Sequence, residues 1–221
     1  MQIGVPLVSG TDPVPLAFLD RLAAQASAEF ALRGDPRQVR IVRLAAEPDA
    51  VRLWGGARVR PDALYRERPG LDVLVAIGPP EPGATDPRDE EAVLAYIKAS
   101  RNDLQHLVAT GAGVAWLLEA GLAVGRRVVV NHLPPAVRAR YDAALSAHTD
   151  PARDGDLWTA SDPPRFLLLL LEVLRMLGGL ELQEHVEMRV PWVGTLRRAL
   201  EPEARGDADD EEEGLAVEED A

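Results

Sequence analysis

LDVLVAIGPPEPG, residues 71–83, is the stretch whose reading decides the fold. From Leu71 to Ile77 it is almost continuously apolar without helical spacing, the mark of a strand covered on both faces. Gly78-Pro79-Pro80 and Pro82-Gly83 then force a loop. A strand buried on both sides needs helices on both sides, so the sheet is expected to be mostly parallel. Ligands in such sheets sit beyond the C-terminal ends of the strands.

The flanking sequence agrees. QIGVPLVS, residues 2–9, reads as a strand, Gly10-Thr11-Asp12-Pro13 as a turn, and residues 14–32 as a helix. That helix puts Leu16, Leu19, Leu22, Ala23, Ala26 and Phe30 on one face and stops at Gly34-Asp35-Pro36. Residues 39–44 alternate as a strand, and residues 57–60 read as a short one closed by Pro61-Asp62. Downstream, a helix is expected over 89–100 and a strand over 103–109. Thr110-Gly111-Ala112-Gly113 opens a helix over 114–120, and residues 127–130 form another strand. A buried helix over 166–177 starts at Asp162-Pro163-Pro164 and stops at Gly178-Gly179; residues 181–198 are helical with a break near Pro191. Alternating strand and helix predicts an α/β fold with helices on both faces.

Composition narrows the function. The chain has 221 residues, 47% hydrophobic, and no cysteine. Disulfides, thiol nucleophiles, Cys-ligated metals and iron–sulfur clusters are therefore excluded. The net charge of −12 is concentrated: residues 201–221 hold eleven carboxylates against Arg205 and carry −10, leaving −2 for the body. The expected organisation is one domain over 1–200 and an acidic, solvated tail over 201–221. A near-neutral body offers no electrostatic footprint for nucleic acid. Arg accounts for all the basic residues except Lys98, a bias that suggests a GC-rich bacterial genome. The longest apolar run, residues 166–171, is far short of the ~20 that span a membrane, and residues at the start lack signal-peptide regions. A cytoplasmic protein without membrane contact is expected.

Four post-strand loops carry the candidate site: residues 9–15, 78–83, 109–113 and 131–135. Gly111-Ala112-Gly113 begins like a dinucleotide fingerprint, but Trp116 occupies the third glycine position, and Lys98 follows no glycine-rich loop. No cofactor is expected. His106, His132, His148 and His185 are at least 16 residues apart, so no metal site is expected. Thr110 with His132 is a conceivable nucleophile and base, against the simpler reading of Thr110 as a helix N-cap.

Taken together, these segments resemble the ThiJ/PfpI group of the class I glutamine-amidotransferase-like superfamily, in particular its isonitrile-hydratase-like, AraC-regulator-associated branch. The resemblance runs over residues 2–199. It rests on Asp12 after the first strand, Gly56 to Pro61-Asp62, and Asp72-Val-Leu-Val-Ala-Ile-Gly78 against a strand ending in Pro-Gly-Gly. Val108-Ala-Thr-Gly-Ala112 resembles the nucleophile turn Val-Cys-Thr-Gly-Ala, followed by Leu118-Glu-Ala-Gly-Leu122 and Gly125-Arg-Arg127. Asn131-His132 resembles the group's Thr-His, and residues 158–179 its last strand, turn and long helix. The resemblance implies a flavodoxin-like three-layer sandwich and a homodimer.

Two departures matter. The position of the strained, low-pKa cysteine is matched to Ala109, and the second glycine, an oxyanion N–H donor, is matched to Pro79, which has no N–H. The expectation is a pseudo-enzyme that binds a small molecule or a protein partner in a pocket formed by Asp12, Gly78, Pro79, Ala109, Thr110, Gly111 and His132. The acidic tail stands where the regulators' helix-turn-helix would begin, against direct transcriptional control. One alternative is a hydratase, lyase or amidase using Asp12 and His132 for proton transfer. A third is a structural subunit with Trp116 or Leu117 packed across the site.

Overall fold

The computed structural model describes residues 1–80, 85–130, 132–140 and 149–200. Its centre is the strand read first, Val73–Ile77 (β6), buried at every position. The other elements, in chain order, are β1 (Gln2–Pro6), α1 (Pro13–Leu32), β2 (Arg40–Ala45), β3 (Val51–Arg52), β4 (Arg58–Val59) and β5 (Ala63–Leu64). After β6 come α2 (Pro87–Ser100), β7 (His106–Thr110), α3 (Gly113–Glu119), α4 (Pro135–Arg140), β8 (Ala152–Asp154), β9 (Leu157–Ala160), α5 (Pro163–Arg189) and α6 (Trp192–Leu200).

The main sheet has the order β5-β2-β1-β6-β7-β9-β8 and is parallel except for β8. Strand alternation sorts the core into two layers. Val73, Val75, Ile77 and Val108 face one way, against α1 and α5, with Leu16, Leu19, Phe166 and Leu170. Leu74, Ala76, Leu107 and Ala109 face the other way, against α2 and α3, with Val93, Ile97, Trp116 and Leu117. Burying each Leu or Phe side chain is worth ~1.5–3 kcal/mol, so both helical layers are held by the sheet they cover. This is the flavodoxin-like three-layer arrangement expected from sequence.

Some elements differ from expectation for identifiable reasons. Residues 57–60 do not join the main sheet; β4 pairs with β3 in a separate hairpin whose turn carries Gly55 and Gly56 at positive φ. Residues 127–130 make a single bridge at Val128 instead of a strand. Side chains take the amides a ladder would use: Arg127 N donates to Asp154 Oδ2 at 2.8 Å and Val129 N to Thr159 Oγ1 at 3.0 Å. The expected stop at Gly178-Gly179 is a kink inside α5, where Gly179 has φ 80° and ψ 174°. Beyond the kink the helix resumes, and its His185 and Arg189 meet Glu29, 6% exposed on α1, which also pairs with Arg33. The expected tail, residues 201–221, lies outside the described residues, as do residues 81–84, Asn131 and His148.

Candidate functional site

The C-terminal ends of β1, β6, β7 and β9 converge on a cavity of about 240 Å³. From β1, the chain turns at Gly10, and the buried Thr11 hydroxyl closes the turn on the Val8 carbonyl at 2.8 Å. That turn delivers Asp12 to the cavity wall, where one carboxylate oxygen accepts the Val14 amide at 2.8 Å and caps α1. Burial raises the Asp12 pKa, and the Val14 hydrogen bond works against that rise.

From β6 come Gly78, Pro79 and Pro80. Gly78 is required by contact, since a Cβ there would run into the Gly113 nitrogen and Ala112. From β7 come Thr110, Gly111 and Ala112. Gly111 has φ +56°, the left-handed geometry that favours glycine, at the turn from strand to helix. From β9 come Ser161, Asp162 and Pro163; Asp162 caps α5 through the Arg165 amide at 2.9 Å and ion-pairs with the Arg165 guanidinium.

His132 closes the wall with Leu133 and Pro134. Its Nε2 lies 2.9 Å from the Gly111 carbonyl, which can only accept, so Nε2 carries the proton and Nδ1 is the bare acceptor of a neutral ring. Burial lowers the His132 pKa, with partial opposition from the Gly111 bond and the charges of Asp150 and Asp162. Nδ1 of His132 and Oγ1 of Thr110 are both buried and have no hydrogen-bond partner among the described residues. Such a group costs about 1–3 kcal/mol until something satisfies it.

Six of the seven expected residues line this cavity: Asp12, Gly78, Pro79, Thr110, Gly111 and His132. Ala109 is the correction. It is 0% exposed inside β7, opposite Ala76, and faces the α2/α3 core, not the cavity. Nor is it strained: among the described residues the single non-glycine at positive φ is Arg68. The left-handed turn falls two residues later, at Gly111, because β7 keeps its ladder through Thr110. Thr110 is not the N-cap of α3 either; that position is Ala112, with no side-chain cap. Trp116 and Leu117 pack in the α2/α3 core and do not cross the cavity mouth. Sequence reading missed Ser161, Asp162 and Pro163, although the rule that selected the other loops applies equally to the end of β9.

No family model matches the sequence, and no curated protein matches it. The fold, in contrast, has clear counterparts among solved structures. A ThiJ/PfpI family protein from Pseudomonas syringae superposes with TM-score 0.70 at 18% identity, over 94% of this chain and 78% of that one. An AraC family transcriptional regulator from Pseudomonas putida gives 0.69 at 19%, over 86% and 98%. Drosophila melanogaster DJ-1beta gives 0.67 at 18%, over 86% and 97%. The chain thus has the three-layer α/β fold of ThiJ/PfpI and DJ-1 proteins, with a cavity at the ends of its central strands where a glycine holds the strained turn.

Proposed function

We propose that the chain is a non-catalytic relative of the ThiJ/PfpI and DJ-1 superfamily, of the branch its sequence resembles, and that its cavity binds a small molecule. One observation carries this reading. The position that the resemblance matches to a nucleophile, Ala109, is buried inside β7, and the strand-to-helix turn with positive φ falls at Gly111, which has no side chain, in a chain with no cysteine. Pro79, which has no N–H, lines the same cavity and supports the loss of an oxyanion donor. Loss of one such donor costs about a hundredfold to a thousandfold in rate, and loss of the nucleophile ends the covalent route. The reading carries with it a homodimer in a bacterial cytoplasm, for which light scattering on the purified chain is the first check. The binding test is a small-fragment screen by crystal soaking: an occupant touching Asp12, Thr110 or His132 supports it, and an empty cavity across the library refutes it.

One feature favours a second reading, proton-transfer catalysis of the hydratase, lyase or amidase type. Asp12 and His132 line one cavity and burial moves their pKa values in opposite directions, up for the acid and down for the base. It requires a turnover that Asp12→Asn abolishes; equal turnover in that variant rules it out.

A further inference from the structure

The two long helices that start at the cavity bear on what charge it accepts. Two long helices, α1 and α5, start at its wall. An open helix N-terminus attracts anions through free amides and aligned peptide dipoles. Neither end is open. The Val14 amide goes to Asp12 at 2.8 Å, while Pro13 and Pro15 have no N–H. At α5 the Arg165 amide goes to the Asp162 side chain, the Phe166 amide to the Asp162 carbonyl, and Pro163 and Pro164 have no N–H. Each helix brings its own anion, so the capacity for a second one is used up.

The side chains keep the same sign. Asp12 and Asp162 line the cavity, and the charge of Asp150 reaches His132. Arg165 pairs with both Asp150 and Asp162 and offsets one of the two. No Arg or Lys lines the cavity among the described residues, and residues 81–84, 131 and 141–148 contain none in the sequence. What the wall offers is acceptors. The second oxygen of Asp12 takes no hydrogen bond from a described residue, and His132 Nδ1 is a bare lone pair. Thr110, 2% exposed, adds a hydroxyl without a partner among the described residues, which can accept or donate. Both of the latter atoms are buried at residues that line the cavity.

We propose that the cavity takes a small primary ammonium ion, an amine of a few carbons. Its N–H groups go to Asp12 and His132 Nδ1, and its alkyl part lies against Pro15, Pro79 and Leu133. The volume of about 240 Å³ suits a ligand below drug size. This rests on the binding reading above and adds the class of ligand.

The test is titration calorimetry on the full chain with three probes of equal length: n-butylammonium, butyramide and butyrate. Butylammonium is expected to bind, butyramide about tenfold or more weaker, and butyrate to give no heat. Asp12→Asn keeps the cap, because Asn caps as well as Asp, and is expected to weaken butylammonium about tenfold or more. Butyrate binding as tightly as butylammonium, or an Asp12→Asn variant that binds it unchanged, overturns the charge assignment and leaves the binding reading standing. No heat from any probe overturns the amine class, and the fragment screen then decides separately whether the cavity binds at all.

Discussion

Gly111 and Gly113 stand two residues apart and answer to different forces. Gly111 is needed for its φ of +56°, with open space where a Cβ would go; Gly113 has ordinary φ, but a Cβ there would strike the Ala76 carbonyl of β6. Gly111→Ala is therefore expected to cost about 1–2 kcal/mol in urea unfolding, from backbone strain. Gly113→Ala is expected to cost more, at or above the ~1–3 kcal/mol of overpacking, since carbonyl and sheet cannot move aside. The same geometry separates two thiols: Gly111→Cys should react readily with iodoacetamide, and Ala109→Cys, 0% exposed, should be protected in the native state. Equal reactivity would put the turn elsewhere. Thr110→Val, replacing an unpartnered buried hydroxyl with a methyl, is expected to leave stability unchanged or raise it by up to about 1 kcal/mol. A clear loss would reveal a partner for that hydroxyl in solution.

The helices around the cavity show how caps serve both the element and the site. Asp12 and Asp162 each satisfy amides that begin a long helix, and each ends up in the cavity wall because parallel strands deliver their helices' N-termini to one edge. Asp162→Ala removes the cap and the Arg165 ion pair together. The expected loss is about 1–2 kcal/mol in chemical unfolding, the upper part of the range for a cap alone. Asp162→Asn should recover most of it, because the amide oxygen still accepts the Arg165 N–H. If Asp162→Asn is as damaging as Asp162→Ala, the ion pair outweighs the cap.

Across the whole molecule, buried ionisable groups set the pH dependence of stability. His132 and His106 are both shifted below 6.5, by burial first. Below 6.5 the unfolded chain therefore binds more protons than the folded one, and stability falls with pH from there through the folded-state values. Glu29, lowered from 4.5 chiefly by its hydrogen bond from Arg33, contributes stability that is lost as the pH falls below 4.5 through its folded value. Asp12 opposes this, since a raised pKa means protonation favours the folded state. Melting temperature is thus expected to be flat just above pH 6.5 and to decline below it, with His132→Gln reducing the upper part of that decline. A melting temperature that rises from pH 6.5 to 5.5 would contradict the burial of both histidines.

Period and punctuation alone placed the central strand, the first helix, the interruption of helix at Gly178-Gly179 and the break near Pro191, because each is a local matter of side-chain pattern or backbone freedom. The same logic picked most of the cavity, since parallel strands put their trailing loops on one edge. Tertiary structure decided the rest. Where β7 ends depends on its ladder with β6 and β9, which runs through Ala109 and Thr110 and moves the strained turn to Gly111. Residues 127–130 lack a ladder because Asp154 and Thr159, some 30 residues away, capture their amides. The negative character of the cavity belongs to neither helix alone: it arises because two aspartate caps, 150 residues apart in sequence, meet at one sheet edge. Local pattern writes the elements, but pairing and charge between distant segments are settled when the chain closes on itself.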